Sequence, residues 1–156
     1  MDQKNEVTIV GAGPAGMTAA IYLKRAGIYP TLLEKNEPGG LLRHAYFIEN
    51  YPGFPNGING SSLVELLVEQ LQRLEISITK SEVHHIKYHD GTFLIETDQG
   101  DLNSYALIVA TGTIPKKLDI KGASSIECIK LFYEPRSIPL GEKGVKKRIL
   151  VIGGGD

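Results

Sequence analysis

The chain has 156 residues, of which 42% are hydrophobic and 22% charged, enough apolar material for one real core, so one domain is the expected count. A net charge of −1, with the densest basic run confined to Lys143 and Lys146-Lys147-Arg148, argues against a nucleic-acid partner; that run reads as a solvated loop. No apolar stretch reaches the roughly 18 residues of a membrane span and residues 1–6 lack a signal-peptide layout, so no membrane partner and a cytoplasmic location are expected.

Val7-Thr8-Ile9-Val10 is a β-branched run that ends on glycines, and residues 15–26 follow with helix-forming side chains, closed by Gly27. Pro30-Thr31-Leu32-Leu33-Glu34 resumes as a second strand with an acidic end, which completes a right-handed βαβ unit with parallel strands. Residues 37–60 are rich in Gly, Pro, Asn and aromatics and predict a long functional loop. Ser62-Leu63-Val64-Glu65 has capping-box spacing, and Leu63, Leu67, Leu71 and Leu74 with Val64 and Val68 form the core stripe of a helix ending near Glu75.

From residue 76 to 96 the pattern turns to short β-rich runs, with turns at His89-Asp90-Gly91 and Asp98-Gln99-Gly100, and predicts a small antiparallel meander. Tyr105-Ala106-Leu107-Ile108-Val109-Ala110 reads as a parallel strand buried on both faces, ending at Thr111-Gly112. An irregular connection follows Pro115, and residues 148–156 repeat the opening theme of an apolar strand running into glycines. The fold class expected is α/β: a three-layer Rossmann-like dinucleotide-binding domain with a parallel sheet and a small antiparallel β-meander.

Gly11-Ala12-Gly13-Pro14-Ala15-Gly16 fits the dinucleotide fingerprint in its required place, after a strand and into a helix. The first glycine permits the turn, the second lets backbone approach a pyrophosphate and the third allows close packing of helix on strand. The helix N-terminus then offers N–H groups and partial positive charge to phosphates. Glu34 ends the second strand, where a carboxylate accepts hydrogen bonds from an adenosine ribose and opposes a 2′-phosphate, so FAD or NAD is preferred to NADP at this site. The departure into a loop, a helix and a meander, in place of further βαβ units, favours FAD over NAD. Two dinucleotide units suggest two redox cofactors, one held and one exchanging.

Together with Met17-Thr18-Ala19-Ala20-Ile21-Tyr22, Gly39-Gly40-Leu41, Glu49-Asn50-Tyr51-Pro52-Gly53-Phe54, Ala110-Thr111-Gly112 and residues 151–156, the chain resembles the low-molecular-weight thioredoxin reductases. Their sister group, the thioredoxin-reductase-like ferredoxin–NADP reductases, shares the resemblance. It implies that Gly11, Gly13, Gly16 and Glu34 hold the ADP half of FAD, with Pro14, Ala15 and Lys35 beside them as cofactor-binding positions. It also implies that Gly40 and Leu41 lie along the flavin, that Asn50 faces the isoalloxazine ring, that backbone near Val83 meets adenine, and that Thr111 and Gly112 close over the cofactor after Ala110. Plain structural roles stand beside these: a turn for Gly39-Gly40, a local backbone cap for Asn50, a strand end for Thr111-Gly112.

The resemblance breaks at one chemical point. Thioredoxin reductases carry a Cys-x-x-Cys pair shortly before the second fingerprint; here Arg136-Ser137-Ile138-Pro139 occupies that place and Cys128 is the single cysteine. Neither an internal disulfide nor a metal site is expected from it.

The expected division is 1–118 for the N-terminal part of an FAD-binding domain, 119–147 for a connecting segment, and 148–156 for the start of a truncated NAD(P)-binding domain. The expected function is the FAD-binding portion of a flavoprotein that passes electrons from NAD(P)H through FAD to an unidentified acceptor without a redox-active dithiol. The 156 residues alone are expected to be an inactive fragment, and the resemblance implies homodimers, with the assembly left open. The alternative is a non-catalytic FAD/NAD-binding or regulatory module. His84, His85 and His89 are read as structural, and no catalytic residue is assigned.

Overall fold

The computed structural model describes residues 5–126, 131–133 and 148–153. It divides into two compact units, Met1–Thr113 and Ile114–Asp156.

In the first unit, strand β1 (Asn5–Val10) leads into helix α1 (Pro14–Arg25) and strand β2 (Pro30–Glu34). A 3-10 turn over Gly40–His44 precedes helix α2 (Gly60–Arg73), after which come β3 (Ile78–Lys80), β4 (Val83–His89), β5 (Thr92–Thr97) and β6 (Leu102–Val109). The strands form one mixed sheet in the order β3-β2-β1-β6-β5-β4. β3, β2, β1 and β6 run parallel, whereas β5 pairs antiparallel with both β6 and β4. The strands expected at Val7, Leu32 and Leu107 therefore lie side by side, in an α/β Rossmann-like fold.

Two successive crossovers, β1 to β2 and β2 to β3, step outward in one direction, and because such crossovers share one hand α1 and α2 fall on the same face of the sheet, where they pack on each other. Register sets Ile108, Ile9, Leu32 and Ile78 in a row across that face. Met17, Ala20 and Ile21 of α1 and Leu63, Leu67 and Leu71 of α2 close over the row. Each such leucine contributes about 1.5–3 kcal/mol on burial. The leucine stripe is core, as its spacing requires.

The β4–β5 connection is a two-residue turn, Asp90-Gly91, with φ of +47° and +77°. Positive φ at both central residues matches the twist of the flanking strands, which is why Asp-Gly serves here.

Four expectations are corrected. Ile78–Lys80, read as meander, pairs parallel with β2, because a three-residue strand is too short to carry a periodicity of its own. β6 is not buried on both faces: Tyr105 is 57% and Val109 63% exposed, since both helices lie on the Ile108 side. The cap of α2 is Asn59 rather than Ser62, and the helix starts two residues before that serine, at Gly60. Residues 148–153 form no strand, and Ile149, Leu150, Val151 and Ile152 are exposed; among the described residues no strand pairs with them, and a strand without partners leaves its backbone groups to water.

Asn59 uses its whole side-chain amide. Oδ1 accepts from the Ser61 N–H at 3.0 Å and the Ser61 hydroxyl at 2.7 Å, and Nδ2 donates to the Tyr46 carbonyl at 2.9 Å. Asn59→Ala is expected to cost about 1 kcal/mol, with Asn59→Asp recovering part of it by restoring the cap alone. Urea denaturation of the two variants checks the order.

Candidate functional site

The carboxyl ends of β1, β2 and β6 meet around the fingerprint loop. Leaving β1, the chain turns at Gly11 with φ +105°, and the Gly11 N–H donates to the Leu33 carbonyl at 2.8 Å. A Cβ on Gly11 would lie 2.3 Å from the Ala110 carbonyl oxygen, so both the turn and its neighbour demand glycine. Gly16 faces the loop from α1, where a Cβ would stand 1.9 Å from the Gly11 carbonyl oxygen.

Gly13 differs from both. It is the N-cap of α1 with φ −73° and ψ −179°, no side chain caps it, and a Cβ there meets nothing within 4 Å. The first helical hydrogen bond runs from the Met17 N–H to the Gly13 carbonyl at 3.0 Å, which leaves the Ala15 and Gly16 N–H groups ahead of it, while Pro14 has none to leave. Open space over a bare helix N-terminus is what a phosphate needs.

Glu34 reaches back to this loop. Oε2 accepts from the Ala12 N–H at 2.7 Å and Oε1 from the Asn36 N–H at 2.9 Å. Each carboxylate oxygen keeps acceptor capacity beyond one bond, so these contacts aim the group and leave it able to take a ribose hydroxyl.

Beside it, the Ser81 N–H donates to the Glu34 carbonyl at 2.9 Å, and Lys35 pairs with Glu82 at 3.7 Å. These contacts draw Val83, the first residue of β4, to the end of β2. Asp98 completes the corner: its Oδ1 accepts from the Ser81 hydroxyl and the Glu82 N–H, at 2.9 and 2.8 Å. The Glu82 N–H, then Ser81 and Gln99, hold the Asp98 carboxyl below the usual range.

On the other side, the Gly39 N–H donates to the Ala12 carbonyl at 2.8 Å, and a Cβ on Gly40 would come within 3.7 Å of the Gly13 Cα. The glycine pair expected from sequence thus touches the fingerprint, and Arg43 pins the loop through two bonds to the Pro38 carbonyl at 3.0 and 2.8 Å. Leu41 is exposed at the start of the 3-10 turn. The Ala110 N–H donates to the Val10 carbonyl at 2.9 Å, and Thr111 and Gly112 continue exposed beyond β6.

Asn50 is not brought into this group. It is exposed near the Ile48–Ile58 bridge, and among the described residues it neither bonds to the fingerprint nor caps local backbone. His84, His85 and His89 are exposed on β4, and no metal-holding cluster occurs among the described residues. Cys128, residues 136–139 and the last three residues lie outside the described residues. Sequence reasoning missed Asn36, Ser81, Glu82 and Asp98; their sole signal was nearness to Glu34 and to a turn.

A groove of about 270 Å³ beside Lys24, Tyr29, Thr31, Glu75 and Thr79 lies at the opposite, amino-terminal end of β2 and takes no part in the site. No helix of the described residues is long and apolar enough to cross a membrane.

The family described as pyridine nucleotide-disulphide oxidoreductase matches residues 5–156. A thioredoxin reductase of Borreliella burgdorferi is 37% identical over 160 residues, covering 100% of this chain and 48% of that protein. One from Chlamydia trachomatis is 33% identical over 156 residues, covering 97% and 50%. The crystal structure of Lactococcus lactis thioredoxin reductase superposes with a TM-score of 0.73 at 36% identity, over 79% of this chain and 40% of that one. The chain spans about half the length of the curated relatives it matches.

Proposed function

Because the chain belongs to the pyridine nucleotide-disulphide oxidoreductase family, we propose that it supplies the FAD-binding portion of a flavoprotein that passes electrons from NAD(P)H to an acceptor without a redox-active dithiol. The observation that carries the reading is the open space over Gly13, flanked by an uncapped helix N-terminus and the aimed carboxylate of Glu34. A flavin held there supplies the chemistry, hydride acceptance and onward release of electrons.

The chain's own residues bind and orient. Gly13, Pro14, Ala15 and Gly16 present backbone to the pyrophosphate, and Glu34 takes the ribose hydroxyls, which disfavours a 2′-phosphate at this site. Lys35 and Val83 lie on the adenine side, Gly40 and Leu41 extend toward the ring, and Ala110, Thr111 and Gly112 border the cleft from β6. Asn50, exposed on its loop, is proposed to face the isoalloxazine ring.

The single cysteine of the sequence favours direct transfer from flavin to acceptor. Taken alone, residues 1–156 are proposed to turn over no NAD(P)H. Residues 1–118, 119–147 and 148–156 are proposed as FAD portion, connection and start of the nicotinamide domain, in a cytoplasmic homodimer.

The test uses the purified full-length protein. Visible flavin absorption that NAD(P)H bleaches, with electrons reaching ferricyanide or a quinone but not thioredoxin or an aromatic disulfide, is the expected result. Flavin that NAD(P)H leaves unbleached would point to a non-catalytic module, and brisk disulfide reduction would refute the dithiol-free route.

A further inference from the structure

The β3–β4 corner is two residues long, Ser81 and Glu82, and the regular ladder does not fix it. Pairing between β4 and β5 shifts register between Val83 and His85, so the first residues of β4 lack a continuous set of strand bonds. A side chain from the far end of β5 takes over. Asp98 Oδ1 accepts the Ser81 hydroxyl at 2.9 Å and the Glu82 N–H at 2.8 Å, and the Asp98 N–H returns a bond to the Glu82 carbonyl at 3.1 Å. Oδ2 is held by the Gln99 amide at 3.2 Å.

From this corner a continuous chain of bonds reaches the fingerprint. The Ser81 N–H donates to the Glu34 carbonyl, and the Glu34 carboxylate accepts the Ala12 N–H. We propose that Asp98 is a positioning residue for the adenine side of the cofactor site, fixing the Ser81-Glu82-Val83 corner against the end of β2. The inference rests on the FAD reading above. Ser81 is 4% exposed, so loss of Asp98 strips a buried hydroxyl of its acceptor as well as freeing the Glu82 N–H. Backbone no longer held in its binding geometry must be ordered when the cofactor binds, which weakens binding without removing any contact to it.

The experiment measures FAD dissociation constants by fluorescence titration of the deflavinated full-length protein, with amide hydrogen exchange at residues 81–83. Asp98→Ala is expected to weaken FAD roughly tenfold and speed exchange at the corner, while Asp98→Asn, which keeps the Oδ1 acceptor, stays within about threefold of the parent. Asp101→Ala, a neighbouring carboxylate outside this network, serves as the reference and is expected to bind FAD as the parent does. Ser81→Ala, which removes one bond, carries the test should Asp98→Ala not fold, with about a threefold loss expected. Unchanged affinity in Asp98→Ala or in its Ser81→Ala substitute, or Asp98→Asn as weak as Asp98→Ala, overturns the proposal. A parent protein that binds no FAD overturns the FAD reading itself, and this inference with it.

Discussion

Gly13→Ala is expected to leave the protein folded and to abolish its retention of FAD. Gly13 has ordinary extended dihedrals, φ −73° and ψ −179°, which alanine adopts without strain. Its Cβ would meet nothing within 4 Å, so the only cost to the protein is a poorer N-cap, below about 1 kcal/mol. The same methyl occupies the space through which a pyrophosphate must approach the backbone at the start of α1. Displacing the phosphates from two charge-assisted hydrogen bonds at about 1.5–3 kcal/mol each lowers affinity by roughly 100-fold or more. Flavin content of the purified full-length variant, beside the melting temperature of its flavin-free form, reads the two effects separately. A variant that keeps its flavin would sink the assignment of this cleft.

What could be read from sequence follows from where the information sits. Pro30–Glu34 and the fingerprint were legible because a strand that ends on Glu, and glycines spaced for a strand-to-helix turn, carry their geometry in consecutive residues. Asp90-Gly91 was legible for the same reason, as a turn whose residue types select its dihedrals. β3 was not: its three residues became a parallel strand only because β2 stood beside them.

The exposure of Tyr105 and Val109 was also hidden, since an apolar run does not disclose that both crossovers pass over the other face. Within the site, the sequence marks Glu34 as a candidate ribose acceptor, but its bond to the Ala12 N–H is not legible there, because 22 residues separate the partners. Asp98 lay inside a turn motif that explained it adequately by itself, and only the fold shows it 16 residues back in sequence, on the Glu82 N–H.

Gly16→Ala is expected to damage the fold itself, before any question of cofactor arises. In an open helix the change would help, since alanine is favoured over glycine by about 1 kcal/mol. Here the Cβ would stand 1.9 Å from the Gly11 carbonyl oxygen and 3.0 Å from its carbon, both backbone atoms. Gly11 cannot retreat, because its N–H is held by the Leu33 carbonyl at 2.8 Å and its far side is closed by Ala110. The helix must therefore move, and with it Met17, Ala20 and Ile21, which pack in one cluster with Ile9 and Leu32. Overpacking that shifts a whole helix costs about 3 kcal/mol, which outweighs the propensity gain and takes a large share of the roughly 5–15 kcal/mol that holds a domain together. For a chain of this length the net loss of about 2 kcal/mol lowers the melting temperature by about 4–8 °C. Thermal unfolding of the flavin-free protein separates this variant from Gly13→Ala, which melts near the parent. A Gly16→Ala protein that also melts within about 1 °C of the parent would mean that α1 does not approach the Gly11 turn as closely as the geometry states.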